Sequence, residues 1–309
     1  MKILWITLDY YEHARRGHSF RHYYHALEQR MSEIADMTFS GRTGFAADIQ
    51  KQAEEADADF VMFFANVFNN SENFKNIDKL IVPKGVMCSD PWRSILRHTE
   101  WINKEDFDLV FLYQGAAQPE YQKLVKARCV KLFPSVEADL FKPTDLERIY
   151  DVFLTGNMSP ETYPLRNAIY YTYHKNPRCW VRAGDKSIPT LEGYAERMGQ
   201  SKILATGNCH EPLLGKKDYA FLQPKTIEGM ATNTLIMMDT PTCAEDLHLA
   251  PGENFVEIDR TNFRKKIRYY LKNEEERKAI AQRGHETFLK YHSSEVQAAR
   301  VLEYFKELV

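Results

Sequence analysis

Short apolar runs alternate with longer amphipathic stretches along the whole chain, the pattern of a parallel sheet flanked by helices. In the first half the apolar runs predict strands near Lys2–Leu8, Met37–Phe39, Asp59–Phe64, Gly85–Cys88, Leu109–Tyr113 and Cys129–Leu132. Helical periodicity falls near Ser19–Ile34, Phe45–Ala56, Trp92–Asn103 and Glu120–Lys126. Residues Phe133–Arg148, with Pro134, Pro143 and several acids, break this rhythm and read as a linker. The alternation restarts at Tyr150. It predicts strands near Val152–Thr155, Cys179–Val181, Ile203–Ala205, Leu235–Met238 and Phe255–Ile258, with a helix carrying Arg166 after the first of them. Asn273 followed by three glutamates reads as an N-cap opening a helix to about Lys290, and a last helix runs Ser294–Leu308. There is no internal repeat and no low-complexity tract. The predicted architecture is α/β: two Rossmann-like, doubly wound domains, 1–148 and 149–309, facing each other across a cleft, with a last helix able to pack back on the first domain. In such sheets ligands bind beyond the carboxyl ends of the strands.

Length supports this division, since 309 residues exceed what a single core usually organises. Lys plus Arg number 41 against 43 acids, a net charge of -2, so no bulk positive field points to nucleic acid. The five cysteines are scattered and odd in number, without a CxxC pair, which argues against a zinc site or a disulfide framework and for reduced thiols in the cytoplasm. No stretch is long and apolar enough to predict an integral membrane segment, and the apolar opening that ends at Asp9 is too short for a signal peptide.

The richest chemistry lies between Asp218 and Val256. Pro224 predicts the first position of a short helix, where backbone N–H groups suit an anion. Lys225 and Glu228, three apart, share one face of it, as a surface ion pair on a core helix or as a cation and carboxylate gripping one ligand. Thr226 stands between them. Ser201–Asn208 is a strand ending in the turn Thr206-Gly207-Asn208, either an ordinary glycine turn or open backbone for a nucleotide base. Gly156 and Asn157 end the first strand of the second domain, where a glycine lets amides approach a diphosphate. In the first domain, Arg15-Arg16-Gly17-His18-Ser19 is a solvated basic turn or an acceptor-side loop. Asp90, at a strand's carboxyl end in Ser89-Asp90-Pro91-Trp92-Arg93, either caps the next helix or orients an acceptor hydroxyl and takes its proton.

Two further patterns carry less. Asp57-Ala58-Asp59 has the DxD form of a Mg²⁺ site but precedes a strand, so it reads as a helix-to-strand turn. His18 and His22, with His25, have the spacing of a metal pair, yet the residue after His18 is Ser19 and no HExxH occurs; they read as structural or surface histidines. No metal site is predicted.

Four segments, in order, carry a family resemblance. The linker Pro134–Pro143 resembles the interdomain turn of GT-B glycosyltransferases. Tyr150–Gly156 with Tyr163-Pro164-Leu165-Arg166 resembles the start of the donor domain in CgeB-like members of the group 1 glycosyltransferases. Pro224–Ala231 is similar to that family's short donor-binding helix, and Asn273–Gly284 to its later helix. The similarity covers most of residues 85–292. It implies a metal-independent hexosyl or related transferase, needing no cofactor, that moves a sugar from a UDP- or GDP-type donor to an acceptor hydroxyl with retention. Glu228 would bind ribose hydroxyls and Lys225 the diphosphate, assisted by Gly156, Asn157, Arg166, Thr206, Gly207 and Thr226. Asp90 would be the catalytic carboxylate, with Gly17, His18 and Arg93 on the acceptor side. The family's second glutamate, eight positions before Glu228, contacts the transferred sugar; here that position is Ala220. This departure bears on sugar contacts and stereochemistry. It also leaves open a non-catalytic nucleotide-sugar-binding subunit, or an epimerase or hydrolase of the same fold.

Overall fold

The computed structural model of the protein describes residues 1–7, 22–40, 47–64, 74–92, 94–113, 115–184 and 190–309. It divides into two compact units. One comprises Met1–His13, Tyr24–Phe133 and Glu295–Val309, the other Ala14–Tyr23 and Pro134–Ser294.

The first unit is built on a six-stranded parallel sheet. In chain order its elements are β1 (Lys2–Ile6), α1 (His22–Ile34), β2 (Asp36–Ser40), α2 (Ile49–Glu55), β3 (Phe60–Phe63), β4 (Lys84–Cys88), α3 (Ile95–Lys104), β5 (Leu109–Tyr113), α4 (Gln118–Gln122) and β6 (Arg128–Leu132). The strand order is β2-β1-β3-β4-β5-β6. Central strands such as Phe60–Phe63 and Leu109–Tyr113 are apolar throughout and buried at every position, as strands covered on both faces must be. The edge strand β2 is only half-buried and correspondingly polar. Helix α2 starts at Ile49 rather than Phe45, because the Asp48 carboxylate accepts the Lys51 N–H at 3.2 Å and caps it there. Asp57 and Asp59 are both committed to Lys2: Asp57 pairs with its ammonium at 2.6 Å, and Asp59 accepts its backbone N–H at 2.7 Å. The DxD is a helix-to-strand turn that pins the start of β1.

The second unit repeats the plan with β7 (Tyr150–Leu154), α5 (Pro164–Tyr173), β8 (Cys179–Val181), α6 (Leu191–Gly199), β9 (Ser201–Ala205), a hairpin β10 (Cys209–Leu213) and β11 (Lys216–Phe221), α7 (Pro224–Ala231), β12 (Leu235–Met238), β13 (Val256–Glu257), α8 (Phe263–Lys272) and α9 (Glu274–Tyr291). Its five parallel strands run β8-β7-β9-β12-β13. One face of this sheet, Val152, Leu154, Ile203, Ala205, Leu235 and Met237, packs against Leu165 and Ile169 of α5, Phe263 and Ile267 of α8, and Ile280 and Ala281 of α9. Helix α7 lies on the other face. There Gly229 permits its close approach, since a Cβ at that position would stand 2.5 Å from Ile236 Cδ1 and 2.7 Å from Leu204 Cδ2. Helices therefore cover both faces, the doubly wound arrangement.

Before β7, Arg148 closes the amino ends of the strands. Its guanidinium donates to the carbonyls of Ser201, Thr232 (3.0 Å) and Asn233 (2.8 Å) and to Thr234 Oγ1 (2.9 Å). Asn273 does sit at the N-cap position of α9, but its side chain turns back to donate to Tyr269 O at 2.8 Å, capping the end of α8 instead. The last helix, α10 (Ser294–Lys306), belongs to the first unit, where the Phe305 ring stacks on Phe60 with centroids 4.1 Å apart.

Candidate nucleotide site

Strand order reverses in the second sheet between β7 and β9, since β7 leads to β8 on one side and β8 leads back to β9 on the other. The crevice beyond the carboxyl ends of these two strands is where an open α/β sheet offers room to a ligand. Gly156 follows β7 with φ of 108°, a backbone state that favours glycine, and its carbonyl accepts the Gly184 N–H at 2.9 Å. Gly207 follows β9. A Cβ there would lie 3.0 Å from the Arg166 backbone nitrogen and 3.1 Å from Leu165 Cβ, so the glycine lets this turn press against the start of α5.

Arg166 links the two turns. Its guanidinium donates to Gly207 O at 2.9 Å and Asn157 O at 3.2 Å, lies 3.9 Å from the centre of the Tyr163 ring, and is 2% exposed. Lys225 comes to the same place from α7: its ammonium donates to Thr155 O, the residue just after β7, at 2.7 Å. Helix α7 is buried at all eight positions, so Lys225 and Glu228 are not a surface ion pair on a core helix. Glu228, 1% exposed, accepts the Tyr194 hydroxyl at 2.7 Å. Burying a lysine and a glutamate in one short helix is costly unless each is hydrogen-bonded, which marks them as held for a purpose other than packing.

The first turn of α7 offers less to an anion than Pro224 alone suggests, because the Thr226 N–H already bonds back to Gln223 O at 2.9 Å. The positive charge of Lys225 is the stronger feature. Around it, the side-chain oxygens of Thr155 (Oγ1), Thr206 (Oγ1) and Asn208 (Oδ1) are buried with no hydrogen-bond partner among the described residues. Buried polar atoms are rarely left so, and these three stand at the ends of two neighbouring strands.

Asn208 is fixed by Asp239, the residue after β12: its N–H donates to Oδ1 at 2.8 Å and its Nδ2 to the backbone carbonyl at 2.6 Å. The same carboxylate pairs through Oδ2 with His210 Nε2 at 2.6 Å. Sequence reasoning missed this pair. The one available signal was that Asp239 directly follows a fully apolar strand, at its carboxyl end.

In the first unit, Asp90 lies half-buried two residues beyond β4. It is not the N-cap of α3, which is Ser94. A buried polar cluster braces its loop: the Tyr121 hydroxyl donates to Pro91 O at 3.0 Å and stands 3.1 Å from His98 Nδ1. Burial, helped by the charge of Arg97, lowers the His98 pKa from 6.5 to about 4, and burial pushes the Cys88 thiol up. Because the folded His98 resists protonation, its contribution to stability is present above the unfolded pKa near 6.5 and is lost as pH falls toward 4. From pH 7 to pH 5 that loss is about 2 kcal/mol. Urea unfolding of the native protein and His98→Gln at the two pH values checks this; equal losses in both would remove His98 as the source. Gly17, His18 and Arg93 lie outside the described residues.

Comparisons with known proteins bear on the fold. Residues 161–303 match the family model described as Glycosyl transferase-like. No curated protein sequence matches the chain. Sucrose-phosphate synthase from Thermosynechococcus elongatus superposes with a TM-score of 0.71 at 9% identity, over 99% of this chain and 98% of that one. HepE of Anabaena, solved in complex with UDP-glucose, gives 0.68 at 12% identity over 100% of both chains. A glycosyltransferase from Rickettsia africae gives 0.63 at 12% identity, over 99% of this chain and 98% of that one. Among the described residues, no helix is long and apolar enough to cross a membrane. The fold is that of GT-B glycosyltransferases, two Rossmann-like domains, and the glycosyl transferase-like match covers most of the second of them and part of α10.

Proposed function

We propose that the protein is a glycosyltransferase that binds a nucleoside diphosphate sugar at the strand-order reversal of its second sheet and passes the sugar to an acceptor hydroxyl. The observation that carries this reading is the delivery of the Lys225 ammonium, by a fully buried helix, to the carboxyl end of β7. A diphosphate is the ligand whose charge that ammonium would answer, and the unpartnered oxygens of Thr155, Thr206 and Asn208 would bond its sugar or base. Glu228, held by Tyr194, would take the ribose hydroxyls. The group 1 resemblance and the UDP-glucose bound to HepE favour a UDP-sugar as donor, with a GDP-sugar second.

In this mechanism the leaving diphosphate is neutralised by Lys225 without a metal, preorganised charge lowering the barrier. Asp90 orients the acceptor hydroxyl, which attacks the anomeric carbon from the face the diphosphate leaves while its proton passes to a departing diphosphate oxygen, so transfer proceeds with retention. The five buried cysteines, none of them in a disulfide, support work in the cytoplasm. Ala220, where the resembled family places a sugar-contacting glutamate, favours a second reading: a subunit that binds nucleotide sugar without transferring it.

Thermal denaturation against UDP, UDP-glucose, UDP-N-acetylglucosamine, GDP and GDP-mannose tests the proposal. A true donor at a hundredfold excess over Kd stabilises by about 2.7 kcal/mol, which raises the midpoint by several degrees. No shift with any of them would end the nucleotide-sugar reading. Binding with neither transfer nor hydrolysis would favour the non-catalytic subunit, and transfer abolished by EDTA would overturn metal independence.

A further inference from the structure

His210 and Asp239 stand at the same rim as the nucleotide site, on different loops. His210 is the second residue of β10, shortly past the carboxyl end of β9, and Asp239 directly follows β12. Strands β9 and β12 are parallel neighbours, with Ala205 beside Met237, so both side chains emerge at the carboxyl edge of the sheet. The pair is firmly held. Asp239 receives Asn208 at two points, as well as the imidazole at 2.6 Å. The His210 N–H donates to Thr162 O at 2.8 Å, which ties the hairpin to the loop after β7. The loops after β7, β9 and β12 thus meet at His210, the first through its backbone N–H and the last through its ring.

Exposure separates this pair from the other charged groups of the site. Lys225, Glu228 and Arg166 are all 7% exposed or less, whereas the side chains of His210 and Asp239 are 34% and 19% exposed. A short, charge-assisted hydrogen bond is normally a means of tolerating burial, but here it fixes a ring that still reaches solvent. Directly across the hairpin from His210 is Ala220. Opposed residues of an antiparallel pair project to the same face, so a longer side chain at 220 would stand beside the imidazole.

We propose that the His210–Asp239 pair binds the sugar of the donor, hydrogen-bonding its ring hydroxyls while the deeper groups hold the nucleotide. The inference rests on the nucleotide-sugar reading above. The carboxylate oxygens, each able to accept more than one hydrogen bond, and the solvent-reaching ring stand at fixed positions, a set that suits vicinal hydroxyls. The sugar lies at the outer end of a diphosphate anchored on Lys225, which places it toward the more exposed rim.

Calorimetric titration of the whole protein with UDP, UDP-glucose, GDP and GDP-mannose tests the proposal. His210→Ala is expected to weaken binding of the sugar conjugate about tenfold while leaving the matching free diphosphate within about twofold. His210→Gln, which keeps a hydrogen bond to Asp239, falls between native and alanine and guards against a folding defect. Equal weakening of the diphosphate and its sugar conjugate, or no weakening of either, would make the pair a brace for the hairpin and overturn the proposal. If the native protein binds none of the four, the nucleotide-sugar reading itself falls. That result differs visibly from native binding without a sugar-selective loss.

Discussion

Lys225→Ala and Glu228→Ala each weaken the affinity for UDP, or for whichever nucleoside diphosphate the protein takes, by about 10- to 100-fold. The estimate follows from a hydrogen bond to a charged group being worth about 1.5–3 kcal/mol. The two losses have different origins. At Lys225 the variant removes a positive charge that sits on Thr155 O, beside Gly156, where a diphosphate would approach. At Glu228 it removes a buried carboxylate that accepts the Tyr194 hydroxyl. Glu228→Gln separates binding from folding, since its amide oxygen still accepts from Tyr194 but offers one oxygen where a ribose diol uses two. Isothermal titration with UDP reads all three variants. Native affinity in Lys225→Ala and Glu228→Gln, in protein of unaltered melting temperature, would take α7 out of the binding site.

The core of both sheets was legible in the sequence because buried parallel strands have to be apolar without interruption. Leu109–Tyr113, Cys179–Val181 and Leu235–Met238 are observed with the predicted ends. Pro224 marks the first residue of α7 for an equally local reason: its fixed φ suits a first helical position and its missing N–H costs nothing there. The hairpin Cys209–Phe221 was not legible. Pro212 interrupts one strand and the charged run from Lys216 to Asp218 opens the other, so neither shows clean alternation. Helix α8 was missed because Phe263 and Ile267 are its only fully buried positions among residues that are mostly basic or tyrosine.

The same distinction governs the site. Lys225, Glu228, Gly156 and Gly207 sit within local patterns, a short helix and two strand-ending turns, that a single sequence displays. His210 and Asp239 are 29 residues apart and meet only because the hairpin folds back over the carboxyl ends of β9 and β12. Arg166 was readable as a cation following a strand. Its position between the Asn157 and Gly207 carbonyls depends on the strand-order reversal, which no spacing records. Tertiary topology, rather than residue type, decides which of the polar groups share a ligand.

Phe305→Ala lowers stability by about 3–5 kcal/mol, the usual cost of deleting a buried phenyl ring. The ring is fully buried, stacks on Phe60 at an interplanar angle of 19°, and meets Phe111 edge-on at 5.9 Å. Aromatic packing of this kind adds about 0.5–1.5 kcal/mol beyond the buried area. Around it, Arg30 pairs with Glu295 at 2.9 Å and Arg128 with Glu307, but these pairs are partly exposed and contribute little. The attachment of α10 to the first sheet therefore depends on the apolar contact. Urea unfolding followed by far-ultraviolet circular dichroism reads the effect, with Arg128→Ala as the comparison. A loss below about 1 kcal/mol in Phe305→Ala, or an equal loss in Arg128→Ala, would show that burial of this ring is not what holds the last helix. Because α10 follows the second unit in the chain yet completes the core of the first, its loss would expose Phe60 and Phe111 together, and the first unit would unfold at lower urea than the second.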